Sequence, residues 1–82
     1  MNFQERMQPE FYCQQVREQA DAMMGASLIE PELNHHLDYL RGMTAGFWIA
    51  GVISTVDHVK LFDHLTQLFN ERVKAIRARE AA

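Results

Sequence analysis

Four histidines, one cysteine and eleven carboxylates are the side chains of this 82-residue chain with acid–base, nucleophilic or metal chemistry to offer. Their spacing argues against each use. His35 and His36 are adjacent, so on a helix they point about 100° apart and do not share an ion. His58 and His64 are six residues apart, which is not same-face spacing, and no His-x-x-x-His pair occurs. In a hairpin folded about residue 53, His36 faces the neighbourhood of Asn70 and His58 that of Trp48, at opposite ends. No metal is expected within one chain, and an ion shared between subunits is the open alternative. Histidines on helix flanks would instead make an assembly sensitive to pH, because imidazole titrates near neutrality.

Cys13 has no activating partner nearby in sequence and reads as a packing or surface residue. Gly-x-Ser-x-Gly, a phosphate-binding glycine loop and Cys-x-x-Cys are all missing. Three helices of this total length also leave little room for a pocket of several hundred cubic ångströms. The expectation is a protein that is not an enzyme and needs no cofactor. A lone cysteine fits a reducing compartment, here the cytoplasm. The start, MNFQERMQPE, has no apolar stretch of the kind a signal peptide needs. The longest wholly apolar run, residues 45–53, is nine residues and too short to span a bilayer.

The elements that would carry these residues are helices. Hydrophobic content is 48%, spread over the whole chain, and no stretch alternates apolar and polar residues as a strand does. Pro9 fits a first helical turn, and Tyr12, Val16, Ala20 and Met23 follow at helical spacing. Gly25 reads as the stop. Residues 2–8 could extend this helix, with Phe3 and Met7 packing beneath. Pro31 opens a second helix with the stripe Leu33, Leu37, Leu40, Met43 and Phe47. It turns apolar all round from Ala45, which predicts cover on more than one side. Ser54, three residues before Asp57, has capping-box spacing and starts a third helix. Its stripe is Val59, Phe62, Leu65, Phe69, Val73 and Ile76, widened by Leu61 and Leu68.

The predicted fold is therefore all-α, one helical domain over residues 1–82. Helix 1 spans about 9–24, helix 2 about 31–51 and a long helix 3 about 55–79, with helices 2 and 3 an antiparallel hairpin. A 25-residue helix runs about 38 Å, whereas a domain of this size has a radius of gyration near 12 Å. Val73 and Ile76 should then lie beyond a single-chain core, covered by a second copy or by another protein. Small chains often gain stability this way, and a homodimer or larger assembly is expected.

Gly42, Gly46 and Ala50 recur every four residues on one face of helix 2. Each glycine costs about 1 kcal/mol against alanine within a helix. Two readings account for them: helix 1 packs closely there, or a second subunit crosses there. Trp48 lies beside this groove, as a core residue or as the anchor for a partner. Together, Gly42, Gly46, Trp48, Ala50, Phe62, Phe69, Val73 and Ile76 form the candidate interface for self-association or a protein target.

Charge separates a protein partner from a nucleic-acid one. Residues 1–59 hold eight acids and three bases, whereas residues 60–82 hold five bases and three acids. Arg72, Lys74, Arg77 and Arg79 are candidate phosphate contacts, yet basic residues also favour the last turns of a helix. Glu71 and Glu80 dilute the patch. A helix-turn-helix DNA-binding regulator is the alternative function. It places basic and amide residues in the first turns of its reading helix, where this chain has Ser54, Thr55, Asp57, His58 and Lys60. The spacing from Gly51 also puts Asp57 where that motif calls for an apolar residue.

Residues 39–56, YLRGMTAGFWIAGVISTV, resemble short helical proteins encoded by phages and mobile elements, through the helix leading into the Ala-Gly-Val-Ile corner. The resemblance covers under a quarter of the chain and assigns no site. It implies a host-directed accessory role, such as inhibiting a host protein. The function expected from the sequence is a small, non-enzymatic, intracellular interaction protein, an adaptor, inhibitor or regulator that self-associates and binds a protein target. Neither nucleic acid nor membrane is an expected partner.

Overall fold

The computed structural model describes residues 8–81. Among these, three helices and no strand are present: α1 (Pro9–Gly25), α2 (Glu30–Ile49) and α3 (Thr55–Ala81). Phe3 and Met7, expected beneath helix 1, lie outside the described residues. No described helix is long and apolar enough to cross a membrane. The molecule measures 50 × 24 × 16 Å, and α3 runs most of its length, about 40 Å at 1.5 Å per residue.

Each boundary has a local cause. Pro9 sits in the first turn of α1, where its missing N–H is not needed. Gly25 is not a left-handed stop, contrary to the sequence expectation. It is the last helical residue, and Ala26 caps the helix in the right-handed region at φ −86°. Ser27 ends α1 instead, its hydroxyl donating to the Met23 carbonyl at 3.0 Å and its N–H to the Met24 carbonyl at 3.3 Å.

Helix α2 begins at Glu30, with Pro31 in its first turn and an extended Ile29 before it. It ends two residues earlier than predicted, in a six-residue closure. The Val52 N–H donates to the Phe47 carbonyl at 3.0 Å and the Gly51 N–H to the Trp48 carbonyl at 3.0 Å. That pair of bonds needs a left-handed residue after the cap, and Gly51 supplies it at φ +77°. At α3 the expected capping box is present with aspartate. The Asp57 N–H donates to Ser54 Oγ at 3.0 Å, and the Ser54 N–H donates to Asp57 Oδ2 at 3.2 Å.

One core joins the three helices. Cys13, Val16, Ala20 and Met24 come from α1, Leu33, Leu37 and Leu40 from α2, and Leu61, Leu65 and Ile76 from α3, with Ile53 from the second corner. The stripe of α3 is rotated from the sequence expectation. Leu61 and Leu65 are fully enclosed, Phe62, Phe69 and Val73 are half-buried, and Val59 is exposed. The cause is that α3 packs on both α1 and α2. Its buried centre line therefore runs between the two contacts.

Ile76 requires a correction. It was expected beyond the core, awaiting a second copy or another protein. It is 1% exposed within the single chain and belongs to the same core as Met24 and Leu33. The end of α3 lies against the first corner, where its arginines bond to residues 27–30.

Candidate interaction surface at the second corner

Two corners organise the surface, and they differ in chemistry. The first, residues 26–29, is polar within. Ser27 is fully buried, and its hydroxyl lies 2.8 Å from His36 Nδ1. A hydroxyl has one hydrogen, and that hydrogen serves the Met23 carbonyl, so the His36 Nδ1–H donates to Ser27 Oγ. The pair resembles a nucleophile and its base. Enclosure of Ser27 and engagement of its hydrogen give it a structural use instead.

The candidate phosphate contacts converge on the same corner. Arg72 donates through Nε at 2.9 Å and Nη2 at 2.7 Å to the Ser27 carbonyl. Arg77 pairs with Glu30, Nε to Oε1 at 2.6 Å, and Arg79 Nη2 donates to the Leu28 carbonyl at 2.6 Å. The hydrogen bond from Arg77 holds the Glu30 carboxyl below its ordinary range, and Glu30 raises Arg77 in turn. Three of the four basic residues thus have protein partners within the chain. Lys74 is exposed.

The second corner, residues 50–54, is apolar without. The closure at Gly51 and the cap at Ser54 bring the last turn of α2 beside the first turns of α3. Ile49 is 79% exposed, Val56 60%, Val59 52% and Trp48 41%. The cover expected for helix 2 beyond Ala45 is therefore missing on its outer side within the single chain. The Trp48 indole N–H donates to Thr55 Oγ1 at 3.1 Å. Its ring stacks on His58 with centroids 4.6 Å apart and planes 26° apart, and His58 lies 4.4 Å from the Phe62 ring. Trp48, His58 and Phe62 form a column that stiffens this surface.

Of the other candidate interface residues, Gly42, Gly46 and Ala50 are exposed on α2. A Cβ added at Gly42 or Gly46 would meet no atom within 4 Å. Close packing of helix 1 against these glycines, the first of the two sequence readings, is thereby ruled out. Helix α1 reaches α2 elsewhere, with Tyr12 on Phe47 at 5.0 Å between ring centroids. Phe69 and Val73 pack against the core, as Ile76 does.

Two clefts, both open to solvent, lie along the helices. One, of about 290 Å³ between α1 and α3, is bordered by Met24, Leu68, Asp21, Glu71 and Arg72. The other, of about 380 Å³, is bordered by Cys13, Glu10, Arg17 and Asp57. Cys13 itself is buried, and loss of hydration pushes its thiol above the ordinary value. A thiol so placed is a poor nucleophile. His64 Nε2 lies 3.9 Å from Asp21 Oδ1.

Sequence reasoning missed the exposure of Ile49, Val56 and Val59. For Ile49 the signal was the apolar run of residues 45–53, which continues past the end of α2; Val56 and Val59 lie beyond that run. No protein-family model, curated protein or solved structure matches the chain.

Proposed function

We propose that this chain is a small, non-enzymatic helical interaction protein of the cytoplasm, an adaptor, inhibitor or regulator that self-associates and binds a protein target. Helices α2 and α3 act as an antiparallel hairpin whose ends are tied by Trp48 to Thr55 and by Arg77 to Glu30. The observation that carries the reading is the exposure of Trp48, Ile49, Val56 and Val59 together at one corner. Contiguous apolar surface rimmed by polar residues is the usual mark of an interaction site. Gly42, Gly46 and Ala50 add a flat face to α2 on which another helix can lie closely. Trp48, already held in one orientation by Thr55 and His58, is a preorganised anchor. The DNA-binding alternative finds less support, because Arg72, Arg77 and Arg79 are spent on the first corner.

Sedimentation equilibrium at micromolar concentration tests the self-association. The expected mass is at least twice the 9.5 kDa of the chain. Ile49→Asp should return it to the monomer while leaving helix content unchanged, since Ile49 is outside the core. A monomeric mass for the unaltered protein overturns self-association. An assembly indifferent to Ile49→Asp overturns the placement at this corner.

A further inference from the structure

We propose that the cleft between α1 and α3 is a binding site for a small organic cation, a primary ammonium on a short hydrocarbon body. The proposal goes beyond the self-association above and does not depend on it. The cleft holds about 290 Å³, the volume of about ten water-sized groups. Its deep wall is apolar: Ala20 and Met24 are buried and Leu68 is half-buried. Its exposed edge carries Asp21 from α1 and Glu71 from α3. An apolar recess with a few convergent polar groups is the usual form of a small-ligand site.

Several observations set the sign of the ligand's charge. Among the described residues, no lysine or arginine forms an ion pair with either carboxylate. Arg72 also borders the cleft, but its Nε and Nη2 both donate to the Ser27 carbonyl, at 2.9 and 2.7 Å, which fixes the guanidinium on the first corner. His64 Nε2 stops 3.9 Å from Asp21 Oδ1, beyond hydrogen-bond reach, and is buried with no hydrogen-bond partner. The Asp21 carboxylate is thereby left for a donor from outside the chain. The last turn of α1 lies along the cleft and has no basic residue to offset the negative end of the helix dipole. Two carboxylates and one guanidinium leave a net negative charge, which one ammonium balances. A hydrocarbon body behind that ammonium covers the apolar surface of Met24 and Leu68, and its removal from water favours binding. An anion meets repulsion at the same edge, and a neutral molecule gains the apolar contact alone.

Hexylammonium, hexanol and hexanoate share one hydrocarbon chain and differ in charge, so their binding to the whole chain at low salt tests the site. In amide-resolved NMR titrations, hexylammonium should shift the resonances of residues 20–25 and 68–75 along one saturable curve, with a Kd of about 1–10 mM for so small a ligand. Hexanol should bind at least about fivefold more weakly, and hexanoate not at all. Glu71→Gln and Asp21→Asn should each weaken hexylammonium by about three- to fivefold. Ala75→Leu, which fills the cleft from an exposed helical position, should abolish binding. All three substituted positions are exposed, and circular dichroism checks that the helices are retained. Equal affinity for hexanol and hexylammonium overturns the proposal, as does indifference to both carboxylate variants. Shifts that do not saturate by about 50 mM, that spread to acids elsewhere such as Glu10 and Glu32, or that survive Ala75→Leu overturn it too. Self-association is read separately by sedimentation, so either proposal can fail alone.

Discussion

Arg72 and Ser27, 45 residues apart, are joined by two hydrogen bonds from one guanidinium to one carbonyl, at 2.9 and 2.7 Å. The bonds tie the far part of α3 to the corner between α1 and α2. Charge-assisted bonds of this kind contribute more than neutral ones, and the buried residue that accepts them has little access to water. Arg72→Met keeps the aliphatic stem and deletes both donors. It should destabilise the fold by about 1.5–3 kcal/mol, a fall of roughly 10 °C or more in melting temperature for a chain of this size. Arg72→Lys should recover part of the loss, since an ammonium lacks the paired donors. Thermal unfolding followed by circular dichroism reads this directly. An unchanged midpoint for Arg72→Met would show the clamp to be dispensable.

The second corner is set by backbone chemistry at two positions. Gly51 is the one described residue with a positive φ, +77°. Gly51→Ala places a Cβ in the left-handed region, at a cost of about 1–2 kcal/mol. Ser54→Ala removes the acceptor for the Asp57 N–H, at a cost of about 1 kcal/mol. Because both act on one corner, the double variant should depart from additivity. Denaturant titration of the two single variants and the double variant checks the three values. A Gly51→Ala protein as stable as the parent contradicts the closure described here.

Glycines within α2 should behave in the opposite way. Nothing stands within 4 Å of a Cβ at Gly46, so Gly46→Ala should stabilise the single chain by about 1 kcal/mol through helix propensity alone. Under the proposed function, Gly46→Leu should weaken self-association while leaving the melting temperature at high dilution equal or higher. A lower melting temperature for Gly46→Ala would mean that the glycine is needed within the fold itself.

The Glu30–Arg77 pair adds a pH dependence with a definite sign. The folded carboxyl titrates below its unfolded value because Arg77 bonds to its charged form. Its contribution is therefore fully present above the unfolded glutamate value of about 4.3 and is lost as pH falls through the lower folded one. Stability measured from pH 6 down to pH 3 should fall less steeply in Arg77→Gln than in the parent. Parallel curves would show that the pair contributes nothing in solution.

Composition and periodicity were enough for the helical class, for three helices and for most of their ends. Those features depend on residues within one turn of each other: Pro9 and Pro31 near starts, Ser54 with Asp57 as a cap, Gly51 as a stop. Gly25 misled because its role was taken by Ser27, whose bonds to Met23 and His36 form only when the corner closes. The stripe of α3 could not be placed from one helix alone. Which side is buried depends on where two other helices lie, and that centred burial on Leu61 and Leu65 rather than on Val59 and Phe62.

The tail of α3 shows the same division most plainly. Its basic residues were legible, and their partners were not, because Ser27, Leu28 and Glu30 are 45 or more residues away in sequence. Tertiary structure decided that Arg72, Arg77 and Arg79 hold a corner and that Ile76 is covered by its own chain. It also decided that the apolar end of α2 stays open at Trp48 and Ile49. Local patterning specifies how each segment folds. Which of two apolar faces gets covered depends on how much surface three short helices have to share, and here they cover the end of α3 and leave the corner at Gly51 exposed.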